Sequence, residues 1–168
     1  MSEHAYLIAL GSNRRHVRFG APEEIIDLAI WAIADALGDV LARSRTVSSA
    51  PVGPSQRRYA NAAVLVESDL APPEMLEDLQ QIEMAMGRER RGQRWSARTL
   101  DLDIVLWSGG LFADENLQIP HPRFRQRSFV LEPAAKIAPA WRDPLTGLTL
   151  RQLAARFSKP VSGPSRDP

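Results

Sequence analysis

The stretch Thr99–Trp107 constrains this chain more than any other part of it. Read with a period of two, Leu100, Leu102, Ile104 and Leu106 make an unbroken apolar row, and Asp101 and Asp103 stand on the opposite row. A slip of one residue would turn both carboxylates toward the core, so the register is set. The segment is therefore a strand packed on one face, and its first residues present two acids together on the other. Their Cα atoms are about 6.6 Å apart in an extended chain.

The remaining elements fall into order around that strand. Tyr6–Leu10 is a short apolar run closed by the turn cluster Gly11-Ser12-Asn13. Pro22 occupies a first helical position, with Glu23 and Glu24 at the positive helix start. Ile26, Ile30, Ile33 and Leu37 follow at helical spacing until Gly38 stops the helix. Val40–Ser49 and Tyr59–Glu67 read as two strands joined by the Pro/Gly loop Ala50–Arg58. Pro72-Pro73 opens a second helix with Met75, Leu79, Ile82 and Met86 on one stripe and Gly87 at its end. The order β-α-β-β-α-β predicts an α+β, ferredoxin-like sandwich, with two helices on one face of an antiparallel sheet. Beyond Gly109 we expect peripheral C-terminal additions, with short helices near Pro133–Ile137 and Thr149–Phe157. Residues 1–157 are expected to form one domain. Ser158–Pro168, with its prolines and serines, reads as a flexible tail.

Composition narrows the function. With 168 residues, 44% hydrophobic and 24% charged, the chain has the profile of one soluble domain. The absence of cysteine excludes disulfides, thiolate metal sites and a cysteine nucleophile. A net charge of +1 advertises no nucleic-acid partner. There is no apolar run of the roughly 20 residues a membrane span needs, and no leader-like start, so a cytoplasmic protein is expected. No apolar stripe is left over once both helices pack, which suggests a monomer. Arginine dominates the cations, 19 against the two lysines Lys136 and Lys159. GC-rich coding would give the same bias as a need for bidentate anion binding.

Position favours chemistry. Arg88–Arg98 holds five arginines, one acid and Trp95, and it runs directly into Asp101-Leu102-Asp103. Two neighbouring aspartates repel unless cations lie between them. Hard oxygen donors without sulfur favour Mg²⁺, which typically shares carboxylates with substrate phosphates. Arginines beside such a pair look like the two halves of a triphosphate–magnesium site. Neither a Walker-A loop nor a kinase glycine loop is present, so side chains and metal must hold the phosphates. Gln80 and Glu83, one helical turn apart, lie off the apolar stripe. They read equally as ligands or as an ordinary polar face. His121, bracketed by Pro120 and Pro122 and followed by Arg123, Arg125 and Arg127, is stiffly aimed but not decisive alone.

These motifs resemble the 6-hydroxymethyl-7,8-dihydropterin pyrophosphokinase family. The matching stretches, in family order, are Ala9–Asn13, Tyr59–Ala63, the highly specific Arg94–Ile104 (RWSARTLDLDI) and Ile119–Arg123. The resemblance implies transfer of pyrophosphate from ATP to the pterin's hydroxymethyl group, releasing AMP, as a step of folate biosynthesis. It implies that Asp101 and Asp103 bind two Mg²⁺ ions. By the same resemblance Gln80, Glu83, Arg88, Arg90, Arg94, Arg98, Ile104, His121 and Arg127 contact ATP, and Arg88 and Arg98 assist the chemical step. Tyr59, Asn61, Phe129 and Trp95 would form the pterin pocket, with the backbone of Ala50, Pro51, Val52 and Gly53 on the pterin's edge. Ala50 and Pro122 depart from residues common in the family, and the Pro51–Tyr59 loop is short.

Two rival classes remain at this point. Ferredoxin-like sheets also bind RNA, but this chain lacks that module's glycine/aromatic signature, and its aspartates would repel phosphate without metal. A metal-dependent phosphohydrolase could use the same two aspartates, without an aromatic acceptor pocket.

Overall fold

The computed structural model describes residues 3–49, 59–87 and 99–158. Its sheet is built from β1 (His4–Ser12), β2 (Asp39–Arg43), β3 (Val47–Ser49), β4 (Tyr59–Ser68) and β5 (Asp101–Trp107). The path runs β2-β4-β1-β5, with β3 also paired to β4, and the neighbouring strands are antiparallel. Helices α1 (Pro22–Ala36) and α2 (Pro72–Ala85) connect the strands in the ferredoxin-like order. Each helix starts at proline, where the missing N–H costs nothing. Ile25, Ile26, Ala29, Ile30 and Ile33 of α1 and Met75, Leu79 and Ile82 of α2 are buried against Tyr6, Ile8 and Leu10 of β1. Period two places these β1 residues on one face.

The strand expected over Val40–Ser49 is interrupted. Between β2 and β3 the Ser44 hydroxyl accepts the Ala63 N–H at 2.9 Å, while the Ser44 N–H donates to the Ala63 carbonyl at 2.9 Å. A side chain thus replaces one rung of the ladder, and β3 resumes with Val47 opposite Asn61.

The C-terminal elements are more than peripheral. They comprise the short hairpin β6 (Phe112–Ala113) and β7 (Gln118–Ile119), a 3₁₀ turn at Phe124–Gln126, α3 (Ser128–Ile137) and α4 (Leu150–Ser158). Helix α3 begins five residues before the expected proline, and Pro133 lies inside it. Phe124, Val130, Leu131, Ala134, Leu150 and Leu153 form a second core with Leu7, Ala9 and Ala63 on the other sheet face. The sheet is therefore covered on both sides along part of its length. Helix α4 runs through Ser158, where the tail was expected to begin, and 159–168 lie outside the described residues.

The apolar row expected on β5 needs one correction. Leu100, Leu102 and Ile104 join the α1/α2 core, but Leu106 joins the second core. The pairing jumps from Ile8↔Ile104 to Leu7↔Leu106, which leaves Val105 as an extra residue. Such a bulge flips the side chains beyond it to the other face.

Candidate active site

Strand β1 lies between β4 and β5, so each of its residues has a partner on either side. Gly11 pairs with Asn61 and with Asp101; Ala9 pairs with Ala63 and with Asp103. These two lateral rows share the sheet face that carries the second core. Where α3 stops covering that face, small residues leave a cavity of about 480 Å³, within the range of small-molecule sites. It is lined by Ala9–Asn13, Tyr59, Asn61, Asp101, Asp103, Arg127, Phe129 and Val130. Six residues selected from the sequence thus meet around one space: Tyr59, Asn61, Asp101, Asp103, Arg127 and Phe129.

The absence of a side chain at Gly11 has a geometric reason. A Cβ there would lie 3.3 Å from Asn61 Oδ1, closer than an ordinary contact. Tyr59 and Phe129 remain 43% and 48% exposed although both are large aromatics, so their ring surfaces are available at the cavity. The Arg127 guanidinium lies 5.7 Å from the centroid of the Phe129 ring, a cation–π distance.

The edges of the site are anchored by buried polar groups. Glu83, only 4% exposed, accepts the N–H of Leu102 at 3.0 Å, on the residue between the two aspartates. The Ser12 hydroxyl donates to the Thr99 carbonyl at 2.6 Å, tying the end of β1 to the approach to β5. On the other side of β5, the His121 N–H donates to the carbonyl of the bulged Val105 at 3.0 Å. His121 Nδ1 accepts the Arg123 N–H at 3.1 Å, which leaves Nε2 to carry the proton of the neutral ring. Burial pushes the His121 pKa below its usual value; the charge of Asp103 opposes this, and Arg127 and Arg123 reinforce it.

The other expected residues are placed differently. Gln80 is half-buried on α2, one turn before Glu83. The Ile104 side chain is in the core, so its main chain is the part a ligand could meet. His121 is near Asp103 but does not line the cavity. Arg125 turns away from the site to the buried Asp143, to which its Nε donates at 2.5 Å and its second terminal nitrogen at 2.7 Å. Arg88, Arg90, Arg94, Trp95 and Arg98, and Ala50, Pro51, Val52 and Gly53, lie outside the described residues. Ser12, Asn13 and Val130 line the cavity without having been singled out as site residues. The odd-numbered face of β1 extended to position 13 would have found Asn13.

Comparison with known proteins bears on the family and the fold. The family model described as 7,8-dihydro-6-hydroxymethylpterin-pyrophosphokinase matches residues 7–139. The chain is similar to the 2-amino-4-hydroxy-6-hydroxymethyldihydropteridine pyrophosphokinase of Synechocystis sp., 38% identical over 89% of this chain and 74% of the relative. It is also 38% identical to the Bacillus subtilis protein of the same name, over 97% of this chain and 95% of the relative. Among solved structures, Plasmodium falciparum HPPK-DHPS wild type with SDX-DHP superposes with a TM-score of 0.69 at 14% identity, a likeness of fold. That match covers 93% of this chain, which spans only 44% of the solved one.

Proposed function

The chain belongs to the 7,8-dihydro-6-hydroxymethylpterin-pyrophosphokinase family, and on that premise we propose that its 480 Å³ cavity is where the pterin's hydroxymethyl group meets the triphosphate of ATP. The enzyme is an ATP-dependent diphosphotransferase of folate biosynthesis. The hydroxymethyl oxygen bonds to the β-phosphorus, the bond from that phosphorus to the oxygen bridging the α-phosphate breaks, AMP leaves, and the hydroxyl proton is released. The observation that carries the site assignment is the lateral row Asn61–Gly11–Asp101, which sets an amide on one side of a glycine floor and a carboxylate on the other.

In this reading a flat pterin lies against Tyr59 and Phe129, with the Asn61 amide on its hydrogen-bonding edge. Trp95 and the backbone of Ala50, Pro51, Val52 and Gly53 complete that pocket. Gln80, Glu83, Arg88, Arg90, Arg94, Arg98, Ile104, His121 and Arg127 hold ATP. Arg88 and Arg98 stabilise charge on the transferring group, for which positioning and electrostatics matter more than covalent help. His121, whose pKa burial pushes down, offers an Nε2–H donor.

The donor set fits a hard cation: two carboxylates two residues apart on one strand face. Asp101 and Asp103 would hold two Mg²⁺ ions, which when bound offset the triphosphate charge and lower the pKa of the acceptor hydroxyl. Glu83 keeps the Leu102 amide, and so the spacing of the two aspartates, fixed from the other side of the strand. We take residues 1–157 to act as one catalytic domain, monomeric and cytoplasmic. Among the described residues, no helix is long and apolar enough to cross a membrane.

Incubation with ATP, Mg²⁺ and 6-hydroxymethyl-7,8-dihydropterin tests the reading. AMP that forms only when the pterin is present supports it; ADP or free phosphate as the main product overturns it and favours a hydrolase.

A further inference from the structure

Asp101 is held from behind. Among the described residues, six polar or charged side chains are buried: Ser12, Ser44, Ser68, Glu83, Thr99 and Asp143. Three of the six, Ser12, Glu83 and Thr99, gather where β5 begins. The pairing of β1 with β5 runs only as far as Gly11↔Asp101, although Ser12 still pairs with Ala60 of β4. Where the ladder to β5 stops, the Ser12 hydroxyl takes over and donates to the Thr99 carbonyl at 2.6 Å, two residues before Asp101. Glu83 accepts the Leu102 N–H at 3.0 Å, one residue after it.

The two aspartates therefore differ in support. Asp103 lies inside the ladder, opposite Ala9, whereas Asp101 is the first residue of its strand. Strand ends fray unless something ties them, so the aim of Asp101 depends on its tethers more than that of Asp103 does. Period two puts Ser12 on the row of Tyr6, Ile8 and Leu10, which is turned to α1 and α2, while Asp101 lines the cavity on the other face. An apolar residue would simply continue that row, so what the hydroxyl adds is the hold on Thr99.

We propose that Ser12 is a positioning residue for the metal: by holding Thr99 it fixes the backbone from which Asp101 is presented beside Asp103. This rests on the reading of the two aspartates as ligands. Groups that orient metal ligands typically matter about 10- to 100-fold to ion affinity or activity.

Comparison of Ser12→Ala with Ser68→Ala provides the test. Ser68 is 5% exposed, as Ser12 is, and its hydroxyl also donates to a backbone carbonyl, that of Leu37, at the far end of β4 opposite His4. Two quantities are measured: thermal melting of the ligand-free protein, and Mn²⁺ affinity in the presence of a non-hydrolysable ATP analogue, read from the electron paramagnetic resonance of the unbound ion. Both variants should melt lower than the parent by similar amounts. Only Ser12→Ala should lose Mn²⁺ affinity, by about tenfold. Ser12→Cys, which keeps a weaker donor of similar size, should fall between it and the parent. Parent-like Mn²⁺ affinity in Ser12→Ala overturns the proposal. So does an equal loss in Ser12→Ala and Ser68→Ala, because the effect is then one of general stability. Parent-like Mn²⁺ affinity in Asp101→Ala overturns the ligand assignment itself, and this proposal with it.

Discussion

Replacing Gly11 by alanine separates the needs of the site from those of the fold. Gly11 is not among the glycines with positive φ, so alanine adopts its backbone without strain. Removing a glycine's freedom from the unfolded chain stabilises by about 0.4–1 kcal/mol where the native conformation suits alanine. For a domain of this size that is a rise of about 1–4 °C in melting temperature. The added methyl has one close neighbour, Asn61 Oδ1 at 3.3 Å, and it rises from the cavity floor between Asn61 and Asp101. Asn61 must give way by a few tenths of an ångström, and the pterin must ride over the methyl. Losing one well-made hydrogen bond in a buried site costs about 1–3 kcal/mol, or about 5- to 150-fold in affinity. Differential scanning calorimetry of the free protein and titration with the pterin, in the presence of Mg²⁺ and an ATP analogue, measure the two effects. We expect equal or higher stability with pterin affinity down by at least about fivefold. Parent-like affinity would show that the Asn61–Gly11–Asp101 row is not the pterin floor.

Other outcomes follow from the anchors around that row. Asp103→Ala should slow turnover at saturating substrates by at least about 100-fold, through loss of a metal ligand worth several kcal/mol; steady-state AMP release measures it, and near-parental turnover refutes the ligand role. Glu83→Gln keeps an oxygen for the Leu102 N–H but removes the charge, so folding should survive within about 1–2 kcal/mol by urea melts. Glu83→Ala should lose clearly more, and equal losses would show that this hydrogen bond does not hold the strand. Acid stability should depend on Asp143. Burial alone would raise its pKa, but hydrogen bonds from Arg125, Thr146 and Leu145 and the charge of Arg125 outweigh burial and hold it at about 2, below the ordinary 3.8. The unfolded chain therefore binds this proton first. About 2 kcal/mol of stability present above pH 4 should disappear as the pH falls toward 2. Asp143→Asn should flatten that part of the pH–stability curve, and an unchanged curve would count against the ion pair.

The site was legible where it depends on local pattern. Alternation in β5 places Asp101 and Asp103 together, and the helical stripes of α1 and α2 identify the core face from which their register follows. What escaped was non-local. The bulge at Val105, which sends Leu106 to the opposite face, is a matter of pairing with β1 and leaves no trace in an apolar run. Ser44 interrupts the second strand because its hydroxyl meets Ala63, 19 residues away. The partner of Arg125 is Asp143, 18 residues on, so spacing alone grouped it with the arginines of the site. Helix α3 was shortened because proline marks a helix start more often than an interior position.

The central claim is that the acceptor hydroxyl sits beside the metal held by Asp101 and Asp103, in the same cavity as the aromatic pocket. Proton NMR of the pterin bound with a non-hydrolysable ATP analogue and Mn²⁺ in place of Mg²⁺ tests this directly, because relaxation by the ion falls steeply with distance. The account predicts strong broadening of the hydroxymethyl protons, weaker broadening of the C7 protons on the same ring, and loss of both in Asp103→Ala. Hydroxymethyl protons left sharp while the pterin is bound would place the acceptor away from the two aspartates and contradict the account.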